Sequence, residues 1–117
     1  RGTIGLRLKA FDEDFAVFET DESYEAVPVS AEEPEGELYK ALTLAVRDYV
    51  RKSGFTDVVL GLSGGIDSAV VAAVAVKALG AEHVHAVMMP TRFTADLSVT
   101  EAEKLAANLG IHYVAAH

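Results

Sequence analysis

The sequence predicts an α/β domain on a three-layer, doubly wound parallel sheet, incomplete, and preceded by a short β-hairpin and a linker. Three observations carry this. After residue 36 the hydrophobic pattern reads helix, then β-α-β-α-β, and such alternation makes parallel strands with helices packed on them. The first strand, Val58–Leu62, is a continuous apolar run, as in a strand covered on both faces, and His83–Met89 is a second apolar strand. A tight turn at Gly64 and Gly65 joins the first strand directly to an apolar helix.

Thr3–Ala10 alternates, with Ile4, Leu6, Leu8 and Ala10 on one side, and reads as a half-buried strand. Asp12, Glu13 and Asp14 form a polar turn, and Phe15–Phe18 is a second short strand. Two strands are marginal alone and need a partner sheet. Asp21–Gly36, acidic and holding Pro28 and Pro34, is a linker. Residues 1–37 carry eleven acids against three bases, whereas residues 38–117 carry seven of each, so the whole net charge of −8 lies in the first third. An acidic segment is the wrong sign for nucleic acid. The absence of cysteine excludes a disulfide scaffold, a thiolate metal site and a cysteine nucleophile, and fits a cytoplasmic protein. No membrane span is visible in the sequence.

Glu37–Ser53 is an amphipathic helix with Leu38, Leu42, Ala45, Val46 and Tyr49 on its inner stripe, acids at its start and Arg51 and Lys52 at its end. From Asp67 the chain is apolar on every side through Val76, and the alanines, the length and Gly80 argue for a buried helix. His83 and His85 alternate on the second strand; a metal site wants three or four ligands, so the pair reads as solvated or packed. Thr91–Leu97 is a loop at the carboxyl end of that strand, where open parallel sheets place ligands, which makes Arg92 a candidate anion contact. Ser98-Val99-Thr100-Glu101 reads as a capping box starting a helix to Asn108, and Ile111–Ala115 begins a third strand.

The chemistry lies in the turn. A helix that begins after a glycine turn aims unpaired N–H groups and its positive dipole end at one spot, which binds anions and phosphate above all. Ser63 and Ser68 flank that spot with two hydroxyls. No Gly-Lys-Ser/Thr is present, and Lys77 is too far along the helix to reach, so this is not the ordinary nucleotide P-loop. Asp67 is out of place in an anion site; it either caps the helix or holds a Mg2+ that bridges to phosphates.

SGGIDS, Ser63 to Ser68, resembles the pyrophosphate-binding motif of the N-type ATP pyrophosphatase superfamily, and LGLSGGIDSAVVAAVAVKALG followed by VHAVMMPTRF resembles its NAD synthetase branch in the glutamine-dependent, two-domain form. The likeness covers Glu37–His117 well and the first part loosely. It implies the adenine nucleotide alpha hydrolase-like fold, with ATP held by Gly61, Leu62, Ser63, Gly64, Gly65, Ile66, Asp67 and Ser68, Mg2+ on Asp67, and nucleotide or substrate contacts at Thr91 and Arg92. It further implies deamido-NAD and ammonia or glutamine as reaction partners, a homo-oligomer, and no side chain in this stretch serving as nucleophile. Residues 1–20 would then be the last strands of a nitrilase-like amidase domain, 21–36 a linker, and 37–117 the start of the synthetase domain, the whole being a piece spanning two domains and inactive by itself. On that expectation the amidase residues precede Arg1, and the deamido-NAD pocket and a second Mg2+ ligand follow His117. A GMP or asparagine synthetase-like enzyme shares the turn, and a non-catalytic nucleotide-binding module is the alternative of another class.

Overall fold

The computed structural model describes residues 2–20, 24–28, 33–90 and 96–116. The chain divides into two compact units, Arg1–Ala41 and Leu42–His117.

The first unit holds no strand among its described residues, so the hairpin expected from Thr3–Ala10 and Phe15–Phe18 does not form. Among the described residues its backbone makes one long-range hydrogen bond, Val27 N–H to Ile4 O at 2.9 Å. Phe18 and Tyr24 stack at 4.3 Å, over Gly5. Phe15 and Val17 are 84% and 81% exposed, which gives the physical reason for the missing pair: among the described residues no apolar surface buries them.

Helix α1, Pro34–Lys52, starts three residues before the expected Glu37, with Pro34 supplying a first position that needs no N–H donor. Its buried residues are Thr43 and Val50, whereas Leu38, Leu42 and Tyr49 of the expected inner stripe are exposed. Leu42 and Val46 instead line an open aliphatic groove of about 350 Å3 with Val58, Val59, Leu60, Val70 and Val71.

In the second unit β1 (Val58–Gly61), α2 (Ile66–Leu79), β2 (Val84–Met88), α3 (Asp96–Leu109) and β3 (His112–Ala115) follow in order, with a 3-10 turn at Ala81–His83. The three strands are parallel in the order β1-β2-β3, with Val59 opposite His85 and His85 opposite His112. Two right-handed crossovers stepping the same way place both helices on one face. That face holds the core: Leu62, Ala72, Ala75, Val84, Ala86, Met88, Ala102, Ala106 and Ile111. The other face presents Val59, His85, Val87, His112 and Val114.

The described residues thus make two layers of an incomplete α/β sheet. β1 is not covered on both faces, Val59 being 71% exposed, and α2 is not buried all round, Val70 and Val71 being 51% and 57% exposed. The apolar runs were legible; what covers them is not in these elements. α3 begins at Asp96, so Ser98 lies inside its first turn and is not the expected cap. No described helix is long and apolar enough to cross a membrane.

Candidate functional site

β1 ends at Gly61, and the chain leaves it through Leu62, which is 1% exposed and donates its N–H to Val87 O of β2 at 3.0 Å. That bond fixes where the turn begins. Gly64 then takes φ +78°, a left-handed conformation that costs an L-residue about 1–2 kcal/mol. Gly65 returns to extended backbone at φ −90° and is the N-cap of α2, without a side-chain cap bond.

The two serines lock the corner. Ser68 Oγ donates to Gly65 O at 3.0 Å and accepts the Ser63 N–H at 3.2 Å. With its single proton committed, the 3.0 Å contact between the hydroxyls must be donated by Ser63. Ser63 Oγ in turn accepts the Gly65 N–H at 3.3 Å. Both hydroxyls therefore brace the turn before any ligand arrives.

Among the described residues, the amides of Gly64, Ile66, Asp67 and Ser68 have no acceptor. The last three are first-turn donors of α2, whose bonds would otherwise go unmade. Of these four residues Ile66 and Asp67 are exposed and Gly64 and Ser68 half-buried, and the corner lies at the positive end of a 14-residue helix. An anion is what such a corner accepts.

Asp67 is the second residue of α2, two positions past its N-cap, and does not cap it. Its carboxylate has no hydrogen bond or ion pair among the described residues. The choice left open by the sequence is thereby narrowed, because Asp67 does no capping. One unpartnered carboxylate beside an oxyanion site suits Mg2+, which takes hard oxygens, commonly one or two carboxylates with phosphates and waters. It does not suit a closed protein cage, and no group of three metal-ligating side chains occurs among the described residues.

Beside the turn a cleft of about 380 Å3 opens at the carboxyl ends of β1 and β2, lined by Gly61, Leu62, Ser63, Val87, Met88 and Met89. A Cβ on Gly61 would meet nothing within 4 Å, and Met89 is 68% exposed. Met89 was not among the candidates, because at the end of the apolar run His83–Met89 nothing in its residue type marks it as lining a cleft. Thr91 and Arg92 lie outside the described residues. The eight candidates from Gly61 to Ser68 form one continuous corner.

At the opposite end of the sheet, Asp57 Oδ1 takes His85 Nε2 at 3.2 Å and His83 Nδ1 at 3.4 Å, and the His85 ring stacks on His112 at 4.9 Å. The Thr56 hydroxyl, with His85 and His83 beside it, lowers the Asp57 pKa to about 2. Spacing alone could not have paired Asp57 with residues 26 and 28 positions later. All are partly exposed, so the cluster reads as a surface tie between strand entries.

The NAD synthase family profile matches residues 38–117. A glutamine-dependent NAD(+) synthetase of Rhodobacter capsulatus is 47% identical over 117 residues, 93% of this chain and 21% of that protein. The enzyme of the same name from Acinetobacter baylyi is 40% identical over 116 residues, again 21% of its own length. The chain therefore spans about a fifth of these relatives. Among solved structures, a glutamine-dependent NAD+ synthetase from Acinetobacter baumannii in complex with ADP superposes with a TM-score of 0.75 at 49% identity, over 80% of this chain and 18% of that one. An NH3-dependent NAD synthetase from Campylobacter jejuni gives 0.65 at 35% identity, over 70% of this chain and 35% of that one.

Proposed function

The chain belongs to the NAD synthase family, and from that membership we propose that its turn is the ATP-cleaving corner of a ligase that converts deamido-NAD to NAD. In the proposed reaction the nicotinate carboxylate attacks the α-phosphorus of ATP, the bond to the β-phosphate oxygen breaks, and pyrophosphate leaves. Ammonia released from glutamine then attacks the acyl carbon of the adenylate, and AMP departs. The observation that carries this reading is the set of acceptor-free amides at Ile66, Asp67 and Ser68 on an α2 N-terminus braced by Ser63 and Ser68.

Each of this chain's groups has a defined part. The α2 amides bind the pyrophosphate end of ATP, and bind it better as charge builds on departure, the differential that accelerates a step. No proton need move at the corner, since the attacking carboxylate is already ionised and the Ser68 proton is committed to Gly65 O. The cleft at Gly61, Val87 and Met89 receives the flat part of the nucleotide, because Gly61 leaves its floor clear. Asp67 would hold Mg2+, which supplies charge neutralisation between phosphates when bound. Thr91 and Arg92 follow β2 at the same end of the sheet and are assigned to nucleotide or substrate contact.

Residues 37–117 are assigned to the start of the synthetase domain, 21–36 to a linker and 1–20 to an amidase domain that supplies ammonia. The Rhodobacter relative, which matches across 93% of the chain, supports including the first third. A cytoplasmic homo-oligomer is the state proposed for the whole enzyme. The test is pyrophosphate release by the whole protein carrying this chain, with Mg2+-ATP and either deamido-NAD or xanthosine monophosphate. Release with deamido-NAD alone is expected; release only with xanthosine monophosphate would move the protein to the GMP synthetase-like branch. These 117 residues by themselves are expected to form no measurable NAD.

A further inference from the structure

We propose that the first turn of α3 is the positioning element of the phosphate-binding turn, acting through contact between the Ser98 backbone and Gly64; this rests on the reading of that turn given above. A Cβ built on Gly64 would lie 2.3 Å from Ser98 O, 2.9 Å from Ser98 Cα and 3.0 Å from Ser98 C. No Cβ fits there without a shift of the helix backbone, so the position admits glycine alone. Gly80, the other tightly approached glycine, meets the carboxylate end of the Glu82 side chain, which can swing away; a helix backbone cannot. The neighbouring Gly65 is free of this constraint, its nearest atom being Ser63 Oγ at 3.4 Å.

The reason α3 comes so close is in its sequence. Ser98, Ala102 and Ala106 are four residues apart and share one stripe of the helix. Ala102 and Ala106 are 0% and 1% exposed, and their small side chains let the helix lie close to the core around Leu62, Val84 and Ala86. The N-terminal end of the same stripe then reaches Gly64. The corner is thus held from three sides: by β2 through Leu62 N–H and Val87 O, by α2 through Ser68, and by α3 through Ser98. Removal of the α3 wall would leave Gly64 free to rotate, and the direction of the amides after it would no longer be set.

The test uses amide resonances of this chain and titration with inorganic pyrophosphate in the presence of Mg2+. Ala102→Val adds two carbons beneath α3 and lifts Ser98 away; Glu103→Ala, on the exposed side of the helix, is the control. In Ala102→Val the resonances of residues 63–68 shift and pyrophosphate binding weakens by about tenfold, the worth of one misaimed charge-assisted amide bond, whereas the control changes neither. Gly64→Ala gives the reciprocal readout, shifting residues 97–101, while Gly65→Ala leaves them in place. If Ala102→Val does not fold, Ala102→Ser, one atom larger, replaces it. A folded Ala102 variant with residues 63–68 unmoved, or a Gly64→Ala spectrum with residues 97–101 unmoved, overturns the proposal. Mutual shifts in a chain that binds no pyrophosphate would uphold the positioning contact and overturn the phosphate reading instead.

Discussion

Asp67→Asn tests whether that carboxylate holds a metal, because losing its charge shifts pyrophosphate affinity in opposite directions without and with Mg2+. Asp67 sits at the second position of α2, N-capped by Gly65, so no cap bond is lost with its charge. What goes is its attraction to the helix dipole, about 0.3–1 kcal/mol. Without Mg2+ the carboxylate only repels an anion at the adjacent amides. At roughly 5 Å in a water-like dielectric, each unit of anion charge costs about 0.8 kcal/mol. One or two such charges make metal-free pyrophosphate bind roughly four- to fifteenfold more tightly to the variant. With Mg2+ present the same substitution removes the metal's protein ligand, and affinity falls by at least about tenfold. Calorimetric titration of pyrophosphate with and without Mg2+ reads both arms, and thermal unfolding reads the stability. An affinity change of the same sign in both arms, or a stability loss above about 2 kcal/mol, would refute the assignment of Asp67 to the metal.

Further outcomes follow from the same contacts. Ser68→Ala removes the hydroxyl that joins Ser63 N–H, Ser63 Oγ and Gly65 O, and is expected to destabilise by about 1–2 kcal/mol with faster amide exchange at residue 63, whereas Ser68→Thr retains most of both. Leu62→Ala, at 1% exposure under the turn, costs about 2–5 kcal/mol in denaturant melts and loosens the corner with it. For Asp57, the folded pKa of about 2 lies below the ordinary 3.8, so its carboxylate contributes stability that is full above pH 4 or so and lost as the pH falls through 2. Acid titration of Asp57→Asn beside the parent checks this: the two curves stay parallel at neutral pH and converge only at the acid end.

How much of this was legible in the sequence depends on the range of the interaction that decides each feature. Helix and strand identities after residue 36 follow from local periodicity, and Gly80 closes α2 as its position suggests, donating its N–H to Val76 O. The corner from Ser63 to Ser68 was legible because most of the groups that shape it lie within six residues. The exceptions are Val87, whose carbonyl takes the Leu62 N–H, and Ser98, 34 positions beyond Gly64, and no spacing rule joins either to the turn. The hairpin of the first third failed for a related reason. Alternation at Ile4, Leu6 and Leu8 says which face could be buried, not whether a partner surface exists, and those three are 43–46% exposed. The Ser98 capping box misled because the motif fits by composition, while the helix starts two residues earlier, at Asp96.

The two-layer sheet also explains why the corner can be complete while its surroundings are not. Winding outward as β1-β2-β3 leaves β1 at an edge, with the turn at its carboxyl end, and a doubly wound sheet reverses its winding there. Crevices at such a point are shaped by neighbouring loops, yet the groups that hold this corner come from one side. Leu62 is tied to β2, Ser68 belongs to α2, and Ser98 belongs to α3, all on the face that is packed. None of these ties uses the open face of Val59, Val87 and Val114 or the groove beside α1. The proposed anion cradle is therefore preorganised by the packed face of the three-stranded sheet. Its donors are fixed before a ligand arrives, the condition under which fixed dipoles favour a developing charge over a static one.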